Sequence, residues 1–124
     1  MAGDAAKGSI EDLMAWSRSM DLVEAVYRLT TAWPRDELYG LINQARRAAV
    51  SVPSNLAEGH GRRTDGQFRH FVSIAIGSLM ELKTQLLIAS RLGYTPEADS
   101  AAVLALLDEV AKISFGLKKA LDKR

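Results

Sequence analysis

The sequence predicts an all-α protein, an antiparallel up-down-up-down four-helix bundle. Three observations carry that prediction. Apolar residues recur at three- and four-residue steps through four long segments, the spacing of a helix face. No segment shows the strict alternation of a half-buried strand. The links between segments are short and marked by proline, glycine or capping residues, which folds each helix back along the one before it. A chain of 124 residues suits one domain with its own core. We expect residues 9–124 to form that domain and residues 1–8, small and polar, to be a disordered N-terminal tail.

In the first helix, Ser9 is placed to cap a start at Ile10, with Asp12 three residues on completing a capping-box pattern. Leu13, Trp16, Met20, Val23 and Tyr27 read as its bundle seam, with Leu22, Val26 and Leu29 as a second apolar row. It should stop between Thr30 and Trp33, because Pro34 disfavours helical geometry in the residue before it.

Pro34-Arg35-Asp36-Glu37 reads as the opening of the second helix, with its acidic pair at the positive end of the dipole. Gly40 then falls inside the helix, where it implies close approach of another backbone. Leu38, Leu41, Ile42, Ala45, Ala48, Ala49, Val52 and Leu56 form one face; Arg47, Ser51, Ser54, Asn55 and Glu58 form the other. Pro53 sits within this pattern and costs about 3 kcal/mol in a helix interior. The repeat continues past it to Leu56, so we read a kinked helix, broken by Gly59 and Gly61 with His60 in the break.

Thr64 and Gln67 form a capping box that starts a third helix, running to about Leu92. Phe68, Val72, Ala75, Leu79, Leu82 and Leu86 are its main stripe, with Phe71 and Ala89 on the flank. Ile74, Gly77 and Ile88 point elsewhere, and Met80 and Leu87 lie between. A helix apolar over so much of its circumference is buried on more than one side, which predicts a second subunit against Ile74, Gly77 and Ile88. Gly93 should end this helix, and Thr95 with Pro96 should cap and open the fourth. Val103, Leu107, Val110, Ile113 or Ser114, Leu117 and Leu121 are its stripe, and Lys118, Lys119, Lys123 and Arg124 suit its C-terminal dipole.

Hydrophobic residues make up 48% and charged residues 25%, values of an ordinary globular protein. The absence of cysteine excludes a disulfide framework, a thiolate metal site and a cysteine nucleophile. No uninterrupted apolar run approaches the roughly 20 residues of a membrane span, and the first residues lack the apolar core of a signal peptide. A cytoplasmic location, without membrane attachment, is therefore expected. The net charge is +1, but Arg46, Arg47, Arg62, Arg63 and Arg69 against Glu58 and Asp65 give a local +3 between residues 46 and 70.

Ser51-Val52-Pro53-Ser54-Asn55-Leu56-Ala57-Glu58-Gly59 is the most specific motif in the chain. With Leu41, Gln44, Arg47 and Ala48 before it, and Phe68, Phe71, the run from Ile74 to Leu82, Thr84-Gln85-Leu86 and Leu92-Gly93-Tyr94 after it, it resembles the bacterial four-helix-bundle proteins encoded in intervening sequences of 23S ribosomal RNA genes. The resemblance extends from Leu13 over nearly the whole chain. It implies an antiparallel four-helix bundle assembled into a ring, commonly a pentamer. That fold is similar to the accessory proteins of diversity-generating retroelements, rings that bind a reverse transcriptase and nucleic acid. Those proteins are strongly basic, whereas this chain is near neutral.

The candidate sites divide into three groups. Arg46, Arg62, Arg63 and Arg69 are the candidate nucleic-acid contacts, gripping phosphates of RNA or DNA beside a helix N-terminus. Arg47, Ser51, Asn55, Glu58 and Glu81 are the candidate polar network or interface of the motif. Ile74, Gly77 and Ile88 are the candidate oligomer interface. A di-iron bundle needs Glu-x-x-His pairs, and no glutamate here has histidine three residues on. We therefore expect no metal, no cofactor and no catalytic residue. The expected function is a non-enzymatic, oligomeric scaffold whose partners are itself and RNA, DNA or a nucleic-acid-processing protein. The competing readings are a small-molecule-binding or catalytic bundle and a purely structural oligomer.

Overall fold

A computed structural model describes residue 10 and residues 13–124 of the chain. The expected tail, and the Ser9–Asp12 capping box, lie outside the described residues. Four helices follow: α1 (Met14–Thr31), α2 (Leu41–Gly61), α3 (Asp65–Arg91) and α4 (Glu97–Asp122). A single 3₁₀ turn, Arg35–Glu37, lies between α1 and α2. Each helix packs on two others, α1 on α2 and α4, and α3 on α2 and α4, which closes a four-helix bundle.

The side-chain pairs give the direction of each neighbour. Arg46 of α2 reaches Thr30 near the end of α1, and Ser51 of α2 meets Ser78 of α3. Lys83 of α3 pairs with Asp108, Arg69 with Asp122, and Arg18 of α1 with Glu109 of α4. Along each pair of neighbours the numbers run in opposite senses: Gly59 lies by Phe68 where Ser51 meets Ser78, and Arg28 lies by Asp99 where Arg18 meets Glu109, so neighbours run antiparallel.

The core is apolar and continuous: Leu22, Val26, Val52, Leu56, Phe68, Val72, Leu79, Leu82, Leu107, Val110 and Leu121 are fully buried. The α3 stripe expected from periodicity is all in it. The most apolar stretch of eighteen consecutive residues in α3 has a mean hydropathy of 1.4, enough by length and composition for a membrane span. Its inward stripe from Phe68 to Ala89 accounts for much of that hydropathy. In α1 the seam differs from the expected one. Ala15, Ser19, Leu22, Val26 and Thr30 face the core, while Met20 and Tyr27 are about two-fifths exposed and Trp16 and Val23 half-buried. Two hydroxyls are tolerated inside because Ser19 donates to the Trp16 carbonyl (2.7 Å) and Thr30 to the Val26 carbonyl (2.8 Å).

Both boundaries of α2 also depart from expectation. α2 begins at Leu41 rather than at Pro34, because Glu37 folds over the helix start and accepts the Leu41 N–H (3.2 Å). Gly40 thus flanks α2 instead of lying inside it. A Cβ there would stand 2.7 Å from Glu37 Oε1, so the close neighbour is a carboxylate and not another backbone. At the other end α2 runs on through Gly59 and His60 to Gly61, and Arg63 (φ 66°), not glycine, takes the left-handed turn position. Gly59 is needed inside the helix: a Cβ would meet Phe71 Cβ at 2.7 Å and Phe68 Cα at 3.3 Å.

The other two junctions have their own fastenings. Thr64 accepts the Gln67 N–H at the start of α3, as its motif predicts. Gly93 (φ 75°) closes α3 in a Schellman arrangement, with its N–H on Ser90 and that of Tyr94 on Ala89. Thr95 does not cap α4. It is buried and accepts the indole N–H of Trp33 (2.7 Å), while Tyr94 donates to Glu37 (2.8 Å) and holds its own proton above the usual phenol range. The α1–α2 and α3–α4 links are thereby tied together at one end of the bundle.

Candidate functional site

α2 positions most of the motif. It remains one helix through Pro53, which is buried on the side that faces Trp16, Met20 and Val23 of α1. The packing on both sides offsets the hydrogen bond that proline cannot make to Ala49. One turn away, the Asn55 amide donates to the Ser51 carbonyl (2.8 Å) and to the Ser51 hydroxyl (2.9 Å). The Ser51 hydroxyl also bonds the Ser78 hydroxyl of α3 (2.8 Å), a pair in which either oxygen can donate. The polar side of the motif is thus a hydrogen-bonded relay that fastens α2 to α3.

The remaining motif residues divide. Arg47 and Glu81 stand across a cleft of about 390 Å³ between α2 and α3, together with Asn43, Gln44, Ser51 and Gln85. Glu58 lies two turns away and pairs with Arg62 (3.0 Å). On α3, Ile74, Ser78, Glu81, Gln85 and Ile88 recur at helical spacing along one row. The candidate interface residues Ile74 and Ile88, both about two-fifths exposed, therefore flank the polar groups instead of lying on a separate face. Gly77 is exposed, with nothing within 4 Å of where its Cβ would be.

Of the candidate phosphate contacts, three come together and one does not. Arg46 is about 24 Å along the helix from Arg62. It stacks over the Tyr27 ring (4.6 Å) and donates to Thr30 (2.9 Å), so it fastens α2 to α1. Arg62, Arg63 and Arg69 stay at the α2–α3 junction. Arg62 lies over the Phe71 ring (5.3 Å), and Arg69 reaches the Leu121 carbonyl (3.2 Å) and the Asp122 carboxylate (3.5 Å).

That last contact brings the end of α4 into the same region. Lys118 shares Asp122 with Arg69, and Arg124 pairs with Asp65 (3.4 Å). Lys119 and Lys123 are exposed beside them. Seven cations now face three carboxylates, Glu58, Asp65 and Asp122, a net of +4 among the described side chains of this end. The lysines were legible in the sequence only as partners of their own helix dipole; the antiparallel return of α4 adds them to the arginines.

His60 was expected in a glycine break but is 4% exposed in the last turn of α2, edge-on to Phe68 (5.8 Å). Among the described residues, no three His, Asp or Glu side chains converge where they could hold a metal ion. The titratable groups displaced from their usual ranges lie in structural pairs: Arg18 is raised by its hydrogen bonds to Glu109 and Asp21, and Glu109 is lowered by Arg18.

No curated protein matches the chain significantly. The family model of the 23S rRNA-intervening sequence protein matches residues 11–116, which includes all four helices up to the last turns of α4. The relay on Ser51 and Asn55, the glycine seated against Phe68 and Phe71, and the polar cleft all lie inside that match, and the chain belongs to the 23S rRNA-intervening sequence protein family.

Proposed function

We propose that the protein is a non-enzymatic scaffold, a cytoplasmic ring of helical bundles, pentameric as its family resemblance implies, that binds RNA at the basic end of each bundle. The observation that carries this reading is the gathering of Arg62, Arg63 and Arg69 with Lys118, Lys119, Lys123 and Arg124 at one end of the fold. Beside them the Phe71 ring is covered by Arg62 and has His70 edge-on to it, so binding goes mainly to phosphates with little base selectivity. A ring repeats the patch, and multivalency raises the affinity of an individually weak site. Ile74, Met80, Leu87 and Ile88, each about two-fifths exposed, supply the apolar surface for assembly, and open Gly77 lets a neighbour approach closely.

The test is titration of a labelled, structured RNA between about 50 and 200 mM salt, where phosphate contacts lose affinity steeply. Particle mass is followed by light scattering in the same samples. Two variants accompany it: Arg62, Arg63 and Arg69 changed to glutamate, and Lys119 with Lys123 changed to glutamate. A ring that binds, loses affinity with salt and fails to bind in both variants supports the reading. No binding at the lowest salt removes RNA as the direct partner and directs the search to a nucleic-acid-processing protein.

A further inference from the structure

We infer that the cleft between α2 and α3 is a binding site for a small zwitterion, a molecule carrying a carboxylate and an ammonium group close together, as a free α-amino acid does. The cleft holds about 390 Å³, within the range of roughly 300–1,000 Å³ typical of ligand sites. Its floor is Gln85, only 5% exposed, whose Oε1 has no hydrogen-bond partner. A buried carbonyl oxygen without a donor is costly, and such groups in folded proteins find partners. Arg47 and Glu81 stand on opposite walls, one on each helix, and among the described residues neither forms an ion pair.

The charges decide the ligand class. An anion alone would satisfy Arg47 and be repelled by Glu81; a cation alone would meet the reverse. A zwitterion answers both, its carboxylate pairing with Arg47 and its ammonium with Glu81, two exposed side chains. The guanidinium fork of Arg47 matches a carboxylate with two parallel hydrogen bonds. An ammonium has three N–H donors; Glu81 and the amide oxygens of Asn43 and Gln44 offer acceptors, and the Gln85 Oε1, sealed from solvent, joins them by a turn of its amide. Ser51 already spends its hydroxyl on Ser78 and Asn55, and so fixes the wall instead of contacting the ligand. The cleft lies along the middle of the bundle, apart from the basic end, so RNA binding has no part in the inference. Ile74 and Ile88 of the proposed assembly surface flank its α3 row, and a free ligand requires that neighbouring copies leave the cleft open.

The same pair of charges can arrive on a free molecule or on a second copy of the chain, and the test separates these. Glycine, L-alanine, L-glutamate and L-lysine are each added at about 10 mM, with acetate and methylammonium as half-ligands. The readouts are melting temperature and the side-chain amide NMR signals of Gln85. The expected result is a rise of at least about 2 °C with one or more of the amino acids, with movement of the Gln85 signals. Neither half-ligand should do this, and both effects should vanish in Arg47→Gln and in Glu81→Gln, which keep the wild-type helicity. Two results overturn the inference. One is no response to any of the four amino acids. The other is movement of the Gln85 signals with protein concentration alone, which assigns the cleft to contact between copies.

Discussion

Two of the grooves that border α2 differ in kind. One shared with α1 is largely apolar, lined by Trp16, Met20, Val23, Val50, Pro53, Ser54 and Ala57, with a volume of about 320 Å³. The one shared with α3 is polar and holds Arg47, Ser51, Glu81 and Gln85. On the α1 side the helix is fastened near its start, where Arg46 stacks on Tyr27. On the α3 side it is fastened along its length, by the Ser51–Ser78 relay and by Gly59 seated on Phe68 and Phe71. The lesson is that α2 is registered by its polar rim and merely covered by its apolar one. Directional bonds and a glycine contact fix one sliding position; apolar surface tolerates several.

The comparison is broken most severely at Gly59. Gly59→Leu forces a side chain into the Phe68 and Phe71 contact and should cost about 3 kcal/mol or more, lowering the melting temperature by about 10 °C or more. Gly61→Ala, two residues on and open around its Cβ, should cause no loss in the same thermal scan. A tolerated Gly59→Leu would show that α2 is not held closely to α3.

A smaller effect is expected in the relay. Ser51→Val leaves the Asn55 amide and the Ser78 hydroxyl short of a partner and should cost about 1 kcal/mol in denaturant unfolding. Val50→Ser, on the apolar groove one residue away and 40% exposed, should stay within about 0.5 kcal/mol. Equal losses at the two positions would remove the distinction between the rims.

The smallest effect is at the α1–α4 side, where Arg18 holds Glu109 with two hydrogen bonds (2.6 and 3.0 Å). The Glu109 carboxyl is held below the usual carboxylate range, mainly by the Arg18 hydrogen bonds. Its contribution is therefore fully present above that range and is lost as pH falls through the depressed value. Wild type should melt slightly above Glu109→Gln at neutral pH, and the two should converge once the pH falls below the ordinary carboxylate range. Both side chains are more than a third exposed, so screening keeps the difference small. A gap that persists in acid would trace it to packing instead of charge.

The fold was legible because helical periodicity is long and strong in α3, and because capping chemistry at Thr64 and Gly93 is local. The α1 seam was not legible, since hydropathy gives Ser19 and Thr30 no place in a core. Their burial rests on hydroxyls bonded to their own helix. The start of α2 was hidden because its cap, Glu37, is fixed partly by Tyr94, distant in sequence. For the candidate sites, spacing along α2 brought Ser51 and Asn55 together correctly but linked Arg46 to Arg62 through sequence proximity to one motif. The helix separates them by about four turns. Gln85 entered only as part of the Thr84-Gln85-Leu86 resemblance and not as a site residue, because its meaning comes from being an amide sealed within an otherwise apolar stripe.

The two tryptophans fall on opposite sides of the contrast drawn at α2. Trp33 is 3% exposed and bonded to Thr95, inside the tied end of the bundle. Trp16 is half-buried at the lip of the apolar groove. The chain thus carries two intrinsic fluorophores with separate jurisdictions, one reporting whether the linkers are locked and one reporting what lies over α1 and α2. A partner settling on the apolar groove changes only the wetter emission, whereas unfolding changes both, so coverage and collapse have different spectra.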